Sequence, residues 1–200
     1  LSFVALHEAG DPTLVLLHGT GGDEVEMMAF GRRLSRRTGY LAIRGKEPEG
    51  PQNRWFRRLA HGVFDQENLR FRAGELADYV EVTLPEVRRI AVGFSNGANI
   101  AAAILLLGPE AFDAAALLAP MVPLEPDSLP DLAGKPVLMV CGEQDPLVPR
   151  ANAIALAMML QTAGADLTVH WHRGGHMLGQ TEINVVAAWL ARFAAADDAG

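Results

Sequence analysis

Short apolar runs alternate with longer mixed stretches along the whole chain. Residues 13–17, Thr-Leu-Val-Leu-Leu, are almost continuously apolar, the pattern of a strand buried on both faces. Residues 40–43, 90–92, 114–118, 136–141 and 167–171 repeat that signature. Residues 2–6 alternate weakly, as an edge strand would, ahead of Gly10-Asp11-Pro12. Helix-length segments lie between these runs, over about 24–37, 72–84, 98–107, 149–163 and 181–195, with Pro149 suited to a first helical turn. Strands alternating with helices predict an α/β fold, a mostly parallel central sheet with helices on both faces. The 200 residues fit a single domain, 1–200, with enough chain for a good core. The connections are short and leave no large cap domain. The exception is the irregular segment 44–71, and a connection of that length in a compact domain usually has a function.

Composition narrows the class. Half of the residues are hydrophobic and a fifth are charged, which is globular and not disordered. The longest apolar stretches, such as 101–107, fall far short of a membrane span, so no stable membrane insertion is expected. The chain starts at Leu1 without a methionine and shows no signal peptide. A net charge of −7 argues against nucleic-acid binding. That charge is uneven, because residues 32–72 hold 11 of the 17 Lys and Arg and only four acids. The segment reads either as a solvated arginine-rich face or as a basic rim that attracts an anionic substrate. The single cysteine, Cys141, excludes an internal disulfide and fits a reducing, cytoplasmic compartment. At the end of a strand it reads as a buried, inert thiol. No His/Cys/Asp cluster has metal-ligand spacing, and neither a metal nor another cofactor is expected.

The chemistry gathers in four turns that follow strands. Gly93-Phe94-Ser95-Asn96-Gly97 fits G-x-S-x-G between an apolar strand and an apolar helix, the setting of a nucleophile elbow. His18-Gly19-Thr20-Gly21-Gly22-Asp23 follows a buried strand and precedes a helix, which leaves backbone N–H groups unpaired. Phosphate binding is one use of such a loop, but a P-loop would need a lysine that is absent here. The other use is half of an oxyanion hole. Gly142-Glu143-Gln144-Asp145-Pro146 and Arg173-Gly174-Gly175-His176 complete the set. In parallel sheets ligands bind beyond the carboxyl ends of the strands, where all four turns fall. The order Ser95, Asp145, His176 is that of an α/β-hydrolase.

Each role follows from the chemistry. A serine hydroxyl needs a base during attack, and histidine has a suitable pKa, so His176 is the candidate base. Asp145 would hold the imidazole tautomer and stabilise the imidazolium. Backbone N–H groups of Thr20 and Asn96 would stabilise the tetrahedral oxyanion, a task that needs neither side chain. Bland alternatives stand beside these. Ser95 is also a small residue suited to a tight turn, and Asp145 is also a turn or capping residue. Of the six histidines, His170 and His172 read as structural, His18 as packing the glycine loop, and only His176 follows a Gly-Gly turn after the last strand.

These motifs together resemble the carboxylesterase/phospholipase group of α/β-hydrolases, which includes acyl-protein thioesterases and dienelactone-hydrolase-like proteins. The resemblance covers nearly the whole chain. Arg44-Gly45, Arg54-Trp55-Phe56-Arg57-Arg58 and Phe64-Asp65 look most like a bacterial subgroup of small predicted esterases linked to hydroquinone stress. The resemblance implies Ser95, Asp145 and His176 as catalytic triad, with Thr20 and Asn96 N–H groups as oxyanion hole. It implies a small-molecule ester substrate and a serine acyl-enzyme, with Trp55 and Phe56 either walling the substrate pocket or packing in the core. A thioesterase or lysophospholipase is the near alternative; a non-catalytic small-molecule receptor on the same scaffold is the distant one. Homodimerisation is common in the family. Two positions depart from its branches: dienelactone hydrolases proper carry cysteine where this chain has Ser95, and acyl-protein thioesterases usually have glutamine where it has Asn96.

Overall fold

The computed structural model describes residues 2–194. Its strands are β1 (Ala5–Glu8), β2 (Thr13–Leu17), β3 (Gly39–Ile43), β4 (Glu47–Glu49), β5 (Gln52–Arg54), β6 (Arg58–Ala60), β7 (Val63–Phe64), β8 (Arg89–Phe94), β9 (Ala114–Leu118), β10 (Pro136–Gly142) and β11 (Asp166–His172). The helices are α1 (Glu24–Leu34), α2 (Gln66–Thr83), α3 (Asn96–Leu107), α4 (Arg150–Thr162) and α5 (Gln180–Ala194). Seven strands form one sheet in the order β1-β3-β2-β8-β9-β10-β11. The β1–β3 pair is antiparallel, and every other neighbouring pair in that sheet is parallel.

Alternate residues of the central strands feed two separate cores. Leu14 and Leu16 of β2, with Ile90 and Val92 of β8, meet Met27, Met28 and Leu34 of α1 and Val186, Trp189 and Leu190 of α5. Val15 and Leu17, with Ala91, meet Leu69, Leu76 and Val80 of α2, Ile100 and Ile104 of α3, and Leu156 and Leu160 of α4. A strand with helices on both sides has no polar face to spare, and this accounts for the unbroken apolar runs. Helices α1 and α5 therefore cover one face, and α2, α3 and α4 the other. This is the α/β-hydrolase fold, with no large cap insertion.

Several boundaries differ from the sequence expectation. The first strand runs over Ala5–Glu8 rather than 2–6, because its ladder to β3 starts at Ala5↔Ile43. Helix α1 stops at Leu34 instead of 37, where Ser35 turns extended (φ −151°). Helix α2 begins six residues before 72. Asp65 caps it by accepting the Asn68 N–H at 3.0 Å, and the polar first turn carries no apolar period to mark it. The segment taken as irregular holds two hairpins, β4–β5 and β6–β7. Gly50, at φ 59°, makes the first turn in a left-handed conformation that glycine adopts readily. The last helix was expected to reach 195; that position lies outside the described residues.

Candidate active site

The elbow is built by close backbone packing. Ser95 sits between β8 and α3 at φ 51° and ψ −111°, a conformation that L residues rarely adopt. Its N–H donates to Leu118 O of β9 at 2.8 Å, tying the turn to the neighbouring strand end. A Cβ at Gly93 would meet Gly97 O at 2.4 Å, and one at Gly97 would meet Leu17 O at 2.0 Å. Both glycines are therefore required by contact distance. They let α3 leave the sheet directly over the end of β2.

Three side chains converge here from turns far apart in sequence. Ser95 Oγ lies 2.8 Å from His176 Nε2, and His176 Nδ1 lies 2.7 Å from Asp145 Oδ2. Asp145 follows β10, and His176 follows β11. The Asp145 carboxyl is 2% exposed, and its Oδ1 accepts the N–H groups of Leu147 and Val148 at 2.8 and 3.0 Å. A carboxylate held in this way presents Oδ2 as an acceptor, so Nδ1 carries the imidazole proton. Nε2 is then left as an acceptor for the serine hydroxyl. The Phe94 ring packs 5.4 Å from the imidazole, centroid to centroid.

The glycine loop approaches from the end of β2. Gly21 N–H donates to Asn53 O at 2.9 Å and Gly22 N–H to Gly19 O at 3.1 Å, so two of its donors are already used, one within the loop and one by the 44–58 segment. No described residue takes the Thr20 N–H. Asn96 opens α3, and a first-turn N–H has no carbonyl partner within its own helix. Thr20, Ser95, Asn96 and His176 all line one cavity of about 310 Å³. Its remaining wall includes Phe64, Phe94, Met121, Val148, Arg54 and Arg58.

The 44–58 segment holds this loop in place. His18 is buried, and it accepts the Gly45 N–H at Nε2 (2.9 Å) while Nδ1 lies 2.6 Å from Gly19 O. Accepting at Nε2 puts the proton on Nδ1, so the ring is neutral. Burial lowers its pKa and outweighs the opposing bond to Gly19. Trp55 donates its indole N–H to His18 O at 2.8 Å and its main-chain N–H to Asn96 Oδ1 at 2.8 Å. Arg54 Nη1 donates to Thr20 Oγ1 at 2.8 Å.

Trp55 and Phe56 need correcting as pocket walls. They are 2% and 0% exposed and lie behind the cavity rather than on it. Trp55 stacks on His18, and Phe56 meets Phe64 edge-on at 5.0 Å. It is Phe64 that reaches the cavity. Arg54 and Arg58 were not singled out as lining residues, although their five-residue cluster was the signal. Burial lowers the Arg54 pKa most, the Arg58 charge lowers it further, and Glu49 opposes both. Burial alone would raise the Glu49 carboxyl, but Arg58 and Arg54 hold it below the usual range. Cys141 is buried away from solvent, and desolvation pushes its thiol up to about 12. Among the described residues no group of three or more His, Cys, Asp or Glu is placed to hold a metal ion. No described helix is long and apolar enough to cross a membrane.

Comparison with known proteins identifies the family. The model of the dienelactone hydrolase family matches residues 11–178. MhqD of Bacillus subtilis (strain 168), which bears the name of a hydrolase, is 39% identical over 191 residues, covering 92% of this chain and 96% of its own. A Bacillus cereus carboxylesterase superposes with a TM-score of 0.91 at 35% identity, over 95% of this chain and 94% of its own. A carboxylesterase from Mesorhizobium loti gives 0.85 at 30% identity, over 94% and 93%. The chain belongs to the dienelactone hydrolase family, within the α/β-hydrolase superfamily, and stands close to bacterial MhqD-like hydrolases.

Proposed function

We propose that this family member is a serine carboxylesterase that works through an acyl-enzyme. The reading rests on the unbroken chain Ser95–His176–Asp145, at 2.8 and 2.7 Å, opening on a cavity beside two unspent backbone donors. Ser95 Oγ attacks the ester carbonyl while His176 Nε2 takes its proton. The imidazolium so formed is stabilised by the Asp145 carboxylate, which stays ionised. The Thr20 and Asn96 N–H groups receive the developing oxyanion, each worth roughly 10²–10³ in rate. Collapse of the intermediate expels the alcohol, which takes the proton from His176. Water then enters on the same base, and the carboxylic acid leaves. Carboxylesterase relatives at 35% and 30% identity support the ester as substrate.

A fluorophosphonate probe tests this directly. Ser95 is expected to be the modified residue by mass spectrometry, with labelling lost in Ser95→Ala and in His176→Ala. A well-folded wild type that takes no label would refute the activated serine. Turnover of p-nitrophenyl esters beside acyl-CoA substrates then separates esterase from thioesterase.

A further inference from the structure

Two asparagines line the cavity beside Ser95, and their amides are placed differently. Asn96 Oδ1 takes the Trp55 N–H, and its Nδ2 is sealed from solvent without a partner among the described residues. Asn99 is 5% exposed, and its Oδ1 accepts the Met121 N–H at 2.9 Å. A main-chain N–H faces an amide oxygen and not an amide nitrogen, so that bond fixes the direction of Nδ2. No described residue takes the Asn99 Nδ2 protons, yet this atom is not sealed from solvent. It opens where Asn99 lines the cavity.

The oxygen of Asn99 has a structural task. Ala119 follows β9 in a left-handed conformation (φ 51°), and Pro120 has no N–H, so the Met121 N–H is the next donor that needs a partner. Asn99 supplies one from α3. That task needs an acceptor alone and leaves two amide protons over. A buried amide with idle donors costs desolvation, and a substrate oxygen at the same place recovers the bond. Asn99 N–H donates to Ser95 O at 2.9 Å, which sets the two residues one helical turn apart. Side chains on a helix lean toward its N-terminus, so the Asn99 amide leans toward the Ser95 end of α3.

We propose that Asn99 is a specificity-determining donor, and that the preferred substrates are short esters with a ketone oxygen on the third carbon of the acyl chain. This rests on the serine hydrolase reading of Ser95. The alcohol oxygen has to lie beside His176 Nε2 to collect its proton, and the oxyanion beside the Thr20 and Asn96 N–H groups. The acyl chain is left to run along the remaining wall, which includes Asn99 and Met121. Side chains one turn apart stand ~5–6 Å from each other at their bases. A ketone oxygen three bonds beyond the ester carbonyl carbon spans that interval. A hydroxyl there would bring a proton as well, and the Asn99 oxygen that could take it is already held by Met121. A ketone only accepts, which matches a site that only donates. The cavity of about 310 Å³ equals roughly ten water volumes, the scale of a small keto ester.

Ethyl 3-oxobutanoate and ethyl 3-methylbut-3-enoate make the test, because they differ by C=O in place of C=CH2. Hydrolysis of each is followed by proton release in wild type, Asn99→Asp and Asn99→Ala. The readout is the ratio of kcat/KM, keto over methylene, divided by the same ratio for hydroxide-catalysed hydrolysis. That quotient removes intrinsic reactivity and any general loss of activity. Wild type is expected to give ~5–10, as for one hydrogen bond between uncharged groups. Asn99→Asp keeps an acceptor for the Met121 N–H but turns an oxygen toward the ketone, so its quotient should fall below one. In Asn99→Ala, which has neither donor nor acceptor, it should fall to about one. A quotient near one in a wild type labelled at Ser95, or no turnover of the keto ester by it, would overturn the donor role alone. A quotient that both variants leave unchanged would reduce Asn99 to its clamp on Met121 and overturn the proposal as well. Absence of fluorophosphonate labelling would remove the hydrolase reading and this one with it.

Discussion

Replacing Asn96 by alanine separates the structural work of its side chain from the catalytic work of its backbone. The residue is 3% exposed, and its Oδ1 accepts the Trp55 main-chain N–H at 2.8 Å. Its Nδ2 is buried without a partner among the described residues, so nothing is lost on that side. Truncation leaves the Trp55 N–H without its acceptor in a buried place, a penalty of about 1–3 kcal/mol. Alanine returns up to ~0.7 kcal/mol through better helix propensity at the start of α3. The net loss is about 0.3–3 kcal/mol, or roughly 1–12 °C in Tm for a domain of this size.

Activity should respond differently. The Asn96 N–H remains in Asn96→Ala, so kcat on a p-nitrophenyl ester is expected to fall by less than ~10-fold. Removing a donor outright would cost roughly 10²–10³. Ser95→Ala is the reference, and it should abolish acyl-enzyme formation altogether. Calorimetry and steady-state kinetics on the same preparations measure both effects. An unchanged Tm would refute the claim that the Trp55 bond carries stability. A loss of kcat as deep as that of Ser95→Ala, in a folded protein, would refute the backbone assignment and give the side chain a part in the chemistry.

Two further outcomes follow from the site. Asp145→Asn keeps an oxygen for the Leu147 and Val148 N–H groups but loses the carboxylate that fixes the His176 tautomer. Its kcat should fall by roughly 10³–10⁴ with little change in Tm, and a loss under ~10-fold would contradict the role. For His18, burial lowers the folded pKa beneath the unfolded value. Its stability contribution is therefore intact above about pH 6.5 and is lost as pH falls from there toward the lowered folded value. Urea midpoints between about pH 8 and about pH 5 should show this decline in wild type, and it should vanish in His18→Asn; an identical slope in both would refute it.

How much of the molecule could be read in advance depended on where each residue's reason lies. The central strands are legible because burial on both faces demands unbroken apolar residues, and 13–17 and 114–118 match β2 and β9 at both ends. Ser95, Asp145 and His176 were singled out because each closes a turn after a strand with its own local signal. Helix α2 started early for the opposite reason. Its beginning is set by a cap at Asp65 and a polar turn, and a search for apolar period passes over both. Trp55 and Phe56 were offered a place on the pocket wall because aromatic character does not say which side of a backbone a ring will take. The hairpin β4–β5 decides that, by turning Arg54 toward Thr20 and Trp55 toward His18.

The segment 44–71 looked irregular because, beyond its two short hairpins, the contacts of its first half are with distant turns. Consecutive residues reach both halves of the proposed oxyanion hole: Asn53 O takes the Gly21 N–H, Arg54 grips the Thr20 hydroxyl, and Trp55 N–H donates to the Asn96 side-chain oxygen. Each contact uses a different chemical group, so no periodicity could arise from them. A strand pair is a suitable device for the task, since its alternation sends neighbouring groups in different directions at fixed spacing. The glycine loop needs such support, because a turn rich in glycine loses the most conformational entropy on ordering. Preorganised donors are effective only if they do not move as charge develops. The long insertion between β3 and α2 therefore does more than cover the site. It holds the backbone groups on which the proposed chemistry depends.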